Sequence, residues 1–343
     1  MASAIYNSNT SLSPQVILFL CCNNCFLNLF FKNVRDASEC FGNLVPAYVG
    51  HDTLRVLSNE EFVNKKGEDE YYIAYGDVSQ IWKRQMKSTG RMVAIKGFRM
   101  TAPVGVDETN QKFQTALLKL AREWKTLEHN NIMPCLGVTY DFGLIASVVM
   151  PLCPEGDIND YVRDHPHANR LNLLTQVASG VVYLHSRGVV HGKICGKNIV
   201  VAPNGCPLIT DAGLAQVIRS QEGIFPWATP SESLRWQAPE TFGPDLDDAY
   251  TASSDVWSLA MTILEVMSGR VPYYPRRQIH ATAFAIMDGV LPKRPDNDTV
   301  SDSLWSVLCT SWAKNPSDRP CAAFVQQQLD AQRAGHLHHL YKL

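Results

Sequence analysis

The chain has 343 residues, 45% apolar and 19% charged, an ordinary globular mix long enough for two lobes rather than one compact core. Its formal net charge of −2 argues against a nucleic-acid partner held by phosphate neutralisation, and no Lys/Arg run is long enough to make a membrane-surface patch. Its ten cysteines form no disulfide framework, so Cys135, Cys153, Cys195, Cys206, Cys309 and Cys321 read as reduced thiols of a cytoplasmic protein.

Residues 1–68 read as a poorly ordered extension. Within it, residues 16–31 (VILFLCCNNCFLNLFF) are apolar. Asn23, Asn24 and Asn28 interrupt the run, and Val16–Cys22 falls far short of the roughly 20 residues that a spanning helix needs. No Lys or Arg precedes it, as a secretory leader requires. Membrane association through 16–31 is therefore the minor expectation. Cys22 and Cys25 have the spacing of half a zinc site, but no second pair and no nearby His completes it, so plain thiols are expected.

From 69 to 150 the pattern is mostly strand-like: YYIAYG and MVAIKGF, with the turn-like KSTG before the second, and a buried run GLIASVVM at 143–150. One helical stretch, FQTALLKLAREWKTLEH, carries Leu117, Leu118, Leu120, Ala121, Trp124 and Leu127 on an apolar face. After Pro151 the pattern turns helical. LNLLTQVASGVVYLHSRG ends at Gly188, and DVWSLAMTILEVMSGR is apolar enough to be central. SDSLWSVLCTSWAKNP and CAAFVQQQLDAQRA are two further helices. The expected architecture is α+β: a β-rich lobe over 69–150, a helical lobe over 151–333 and a tail over 334–343.

Short motifs stand in order along this frame. VAIK occupies 93–96, REWKTLEHNNI follows on the helix, and SVVMPLCPEGDI spans 147–158. VVHGKICGKNIV spans 189–200, with His191 and Asn198 seven apart. DAG follows at 211–213, then QAPE ending at Glu240, SSDVW with Asp255 and NPSDRP with Arg319. In this order they resemble the protein-kinase superfamily across the two lobes, most nearly its tyrosine-kinase-like group.

The resemblance implies a bilobal kinase-like fold binding ATP, with Mg²⁺, between the lobes. Lys96 would neutralise phosphate charge and Glu123 would be its helix partner. The glycine-rich loop fits in two registers: one over Tyr71, Ile73, Gly76 and Val78, the other over Ala74, Gly76, Ser79 and Ile81. The second is preferred, because the family's valine lies about fifteen residues before the lysine and 96 − 81 = 15. Ala94, the gatekeeper Met150 and Cys153 of the Pro151–Cys153 hinge would line the adenine site. Asn198 and Asp211 would hold metal. Glu240 with Arg319 would form a buried ion pair, and Asp255 would brace the catalytic loop.

The loop over 189–200 resembles H-R-D-L-x-x-x-N at its ends only. Gly192 stands for the Arg that reads a phosphorylated activation segment; Thr229, Ser231 and Ser233 lie in that segment. Lys193 stands for the catalytic Asp, and Cys195 for the lysine that touches the γ-phosphate. Ala212 stands for the Phe of DFG. Losing a general base costs about 10²–10⁴ in rate, so no catalytic residue set is intact. The expectation is an ATP-binding pseudokinase, impaired in phosphoryl transfer and acting through protein partners. The alternatives are an active Ser/Thr or Tyr kinase with a non-standard catalytic loop, and a kinase-shaped binding module that holds no nucleotide.

Overall fold

The computed structural model describes residues 53–63, 72–99, 107–220, 232–242, 249–296 and 299–340. The small lobe is a five-stranded antiparallel sheet, ordered β1-β2-β3-β5-β4. Its strands are β1 (Ala74–Tyr75), β2 (Ser79–Gln85), β3 (Met92–Phe98), β4 (Gly137–Thr139) and β5 (Ser147–Pro151). Between β3 and β4 runs α1 (Asp107–Lys125). Side chains alternate across a pleated strand. Val93 and Ile95 of β3 therefore enter an outer apolar cluster with Leu57, Phe62, Met86, Leu136, Phe142 and Val149. Ala94 joins the main core instead, and Lys96 shares its face of β3.

The small lobe begins earlier than the expected boundary at 69. Leu57 and Phe62 are fully buried. Leu57 N–H donates to the Val138 carbonyl at 2.8 Å and Val63 N–H to the Gln85 carbonyl at 2.8 Å. Two apolar residues in a polar neighbourhood carry no period in the sequence, so only the outer face of the sheet reveals why they are there. The run 16–31 and the Cys22/Cys25 pair lie outside the described residues.

The large lobe contains α2 (Ile158–Asp164), α3 (Arg170–Ser186), α4 (Leu214–Arg219), α5 (Ala252–Ser268), α6 (Ile279–Met287), α7 (Asp302–Ser311) and α8 (Ala322–Leu340). A two-stranded ribbon, β6 (Ile199–Val201) and β7 (Pro207–Ile209), lies beside the cleft. The centre of the lobe is α5, buried without interruption from Ser254 to Val266. Thr251 caps its N-terminus by accepting from Ser254 N–H, and Gly269 ends it in the left-handed conformation. The expected tail at 334 is instead a continuation of α8 to Leu340. Among the described residues no helix is long and apolar enough to cross a membrane.

Candidate functional site

The sheet register builds the upper wall of the cleft. In antiparallel ladders, directly opposed residues share a face. Ile81 lies opposite Lys96, Lys96 opposite Val148, and Ala94 opposite Met150. The pleat thus places Ile81, Ala94, Lys96, Val148 and Met150 on one surface. Ala74 pairs with Ile81, and Gly76 N–H donates to the Ser79 carbonyl at 2.8 Å, so the glycine-loop stretch is a tight hairpin. At the hinge, Leu152 N–H donates to Met92, and Cys153 is buried. Burial pushes the Cys153 thiol up to about 12, so it contributes no charge.

Lys96 forms an ion pair with Asp211, and both side chains are about nine-tenths buried. The expected Lys96–Glu123 pair is absent: Glu123 is exposed on the far side of α1. The phase of the helix explains the correction. At 100° per residue, Phe113, Leu117, Leu120 and Trp124 form one stripe, and residue 123 falls well off it. The side chain that abuts the DAG segment from α1 is Leu120; a Cβ on Gly213 would lie 3.1 Å from its Cδ1. Lys96 pairs instead with Asp211.

Trp124 answers the loss of the DFG Phe. Its indole N–H donates to the Ala212 carbonyl at 2.6 Å. Together with Leu127, Met133, Met150 and Ala212, it lines a residual cavity of about 20 Å³, room for about one water. Ala212→Phe therefore meets occupied space and is expected to destabilise by about 1–3 kcal/mol. Combined with Trp124→Leu, which vacates that space, the same change is expected to cost less than the sum of the two, as read by a double-mutant cycle of thermal melts.

The catalytic-loop backbone is fixed from below. Asp255 accepts from His191 N–H and Gly192 N–H, both at 2.8 Å, and contacts His185 Nε2 at 2.9 Å. Gly192 has φ +77°, and a Cβ there would sit 3.2 Å from Tyr250; glycine meets both demands without strain. Glu265 of α5 accepts from Gly196 N–H (3.0 Å), Asn159 Nδ2 (2.7 Å) and Trp236 Nε1 (3.0 Å). A Cβ on Gly196 would collide with Asn159 and crowd Glu265, so this close approach also requires glycine. Burial raises the Glu265 carboxyl to about 7 against these three donors.

Within the loop, Lys193 reaches back across the cleft. Its Nζ lies 2.6 Å from Oδ2 of Asp77 at the hairpin tip. Burial disfavours the ammonium, but the charges of Asp77 and Asp211 outweigh it, and Lys193 is held above the ordinary lysine value. It stays charged and accepts no proton. Cys195 is buried, with its thiol pushed up to about 12, and replaces no lysine charge. The loop from His191 to Asn198 thus offers no carboxylate base.

The two residues expected to hold metal, Asn198 and Asp211, are both present beside the cleft. Asp211 adopts φ +65°, a sparsely populated conformation for a non-glycine residue and a common device at functional sites. Its Oδ1 is buried with no hydrogen-bond partner among the described residues, an arrangement that suits a cation ligand. Asn198 donates Nδ2–H to the Lys193 carbonyl at 2.9 Å, which fixes the amide plane and leaves its own oxygen for a ligand. Two protein oxygens plus phosphate oxygens suit Mg²⁺, which keeps few protein ligands. Among the described residues no cluster of three or more acidic, His or Cys side chains forms a separate metal site.

The family model described as protein tyrosine and serine/threonine kinase matches residues 72–329. The chain is 28% identical over 317 residues to mitogen-activated protein kinase kinase kinase 1 of Arabidopsis thaliana, covering 89% of this chain and 48% of that protein. It is 31% identical over 317 residues to mitogen-activated protein kinase kinase kinase 9 of the same plant, covering 38% of that protein. It is 28% identical over 275 residues to the melanoma receptor tyrosine-protein kinase of Xiphophorus maculatus, covering 78% of this chain and 22% of the relative. The chain spans less than half the length of each of these relatives.

Proposed function

For this chain, which belongs to the protein tyrosine and serine/threonine kinase family, we propose a pseudokinase that binds ATP between its lobes and acts through protein partners. The observation that carries the reading is Lys193, a charged ammonium at the catalytic-base position, paired with Asp77 at 2.6 Å. Phosphoryl transfer is largely positioning and electrostatics. The groups that would position the nucleotide are present: Lys96, Asp211 and Asn198. The group that would orient and deprotonate an acceptor hydroxyl is not.

Mg²⁺, when bound, would supply positive charge that neutralises phosphate. Asp211 and Asn198 would hold it. Lys96, released from Asp211, would turn to the phosphates. The pleated face of Ile81, Ala94 and Met150 would exclude water from the base. The cytoplasmic setting and the signalling role belong to the same proposal.

A thermal-shift titration of the full chain tests it. At 100 times the dissociation constant, ATP with Mg²⁺ is expected to stabilise by about 2.7 kcal/mol. Lys96→Ala and Asp211→Ala are expected to lose that shift. Radiolabel from ATP is expected to reach neither the chain nor generic substrates above the Lys96→Ala background. Transfer above that background would make this an active kinase with another base. No shift at millimolar ATP would leave a kinase-shaped interaction module.

A further inference from the structure

We propose that Lys193 is a second phosphate-binding cation of the cleft, held in reserve by Asp77, and that exchange of Asp77 for a terminal phosphate makes the site select nucleoside triphosphates over diphosphates. The inference rests on the nucleotide-binding reading above and deepens it.

Charges alternate across the cleft. Lys96 from β3 pairs with Asp211, and Lys193 from the catalytic loop pairs with Asp77 from the hairpin tip. The charge of Asp211 also acts on Lys193, so the four groups lie in one electrostatic neighbourhood. Each lysine is neutralised by a carboxylate that a metal–nucleotide complex can replace. Mg²⁺ would take Asp211 from Lys96, and a terminal phosphate would take Lys193 from Asp77. Phosphate carries more charge and more acceptor oxygens than a carboxylate.

The Lys193–Asp77 pair is suited to exchange. Its side chains are 30% and 39% exposed, and pairs so placed are weak. The hairpin is not held by it alone. The Arg99 guanidinium donates to the carbonyls of Gly76 and Asp77 at 2.7 and 2.8 Å, and Arg99 N–H donates to Val78 at 2.9 Å. Asp77 also accepts from Ser233 Oγ at 3.5 Å, so the same carboxylate touches the segment after DAG. Loss of the Asp77 charge thus releases the hairpin tip while the turn beneath it persists.

Two readouts on the full chain test this. The first needs no nucleotide: amide hydrogen exchange over residues 76–79. Asp77→Asn and Lys193→Ala are each expected to speed exchange there, and the double variant to add nothing further. The second is calorimetric binding of ATP and ADP in Mg²⁺. Asp77→Asn is expected to bind ATP about 2- to 5-fold more tightly, because a weak competitor is gone. Lys193→Ala is expected to weaken ATP about tenfold and to leave ADP within about twofold. Unchanged exchange in both single variants would overturn the latch. Equal losses for ATP and ADP would overturn the terminal-phosphate assignment. If exchange responds but no form of the chain binds nucleotide, the latch stands, while the phosphate assignment falls together with the nucleotide-binding reading.

Discussion

Glu265→Ala is expected to destabilise the chain by at least about 3 kcal/mol, because it strands three buried donors at once, each costing about 1–3 kcal/mol when left unsatisfied. Those donors come from separate places: Asn159 on α2, Gly196 in the catalytic loop and Trp236 beyond the segment after DAG. Glu265 sits at the far end of the buried run of α5, so its carboxylate ties the helical core to the floor of the cleft. The loss should show both in chemical denaturation and in faster amide exchange around Gly196. The pH dependence has a definite sign. The folded-state value of about 7 lies above the ordinary 4.5, so between those values the folded chain holds a proton that the unfolded chain has released. The contribution of Glu265 is fully present below about pH 4.5 and is lost as pH rises toward about 7. Glu265→Gln, which cannot ionise, is expected to flatten that part of the stability–pH curve. A curve unchanged by Glu265→Gln would show that the carboxyl titrates near its ordinary value.

Arg319→Ala is expected to cost about 3–5 kcal/mol, the usual penalty for breaking a buried ion pair from one side. The Arg319 side chain is fully buried. Its two terminal nitrogens donate to the two oxygens of Glu240 at 2.6 and 2.8 Å, and it also donates to the carbonyls of Ser253 and Ala313. The guanidinium stacks 5.0 Å over Trp257. Truncation leaves Glu240 without its Arg partner and removes a donor from each of two carbonyls. Arg319→Lys is expected to recover only part of the loss, since an ammonium cannot reproduce the bidentate fork or the stacking. For a chain of this size each kcal/mol is worth about 2–4 °C, so a melting shift of about 10 °C checks the prediction. Replacing both Arg319 and Glu240 by apolar residues is expected to be milder than Arg319→Ala alone.

Stability and chemistry are divided between different residues here. Glu265, Asp255 and the Arg319–Glu240 pair fix the helical lobe and the backbone of the loop over 189–200 without reference to any substrate. Lys96, Asp211 and Asn198 face the cleft from three different elements. Lys193 and Asp77 join the two lobes through one exposed contact. A change at any of the first group is read in melting. A change at Lys193 is read in loop exchange and nucleotide selectivity.

Much of the site was legible in the sequence because its parts are local. VAIK is one β-run, His191 and Asn198 are ends of one loop, and DAG follows the two ribbon strands; order along the chain suffices to identify them. Ile81 stands opposite Lys96 across β2 and β3, a pairing that no single motif spells out. The apolar stripe of α1 was also legible, and read strictly by its period it places Trp124 inward and Glu123 outward. The Lys96–Glu123 pair implied by the motif does not form, because that helical phase turns residue 123 outward.

The sequence by itself determined the family, the two-lobed α+β architecture, and the absence of a carboxylate in the loop where a base belongs, since these are properties of residue type and order. Only the tertiary structure decided which charges meet. Lys96 and Asp211 are 115 residues apart, and Lys193 and Asp77 are 116 apart; no local period relates them. It likewise decided that Leu57 and Phe62 belong to the fold, and that the Trp124 indole packs onto the backbone at Ala212. Pairing and burial depend on which surfaces the fold brings together, and that is fixed by closure of the sheet over the helical core rather than by the neighbours of any one residue.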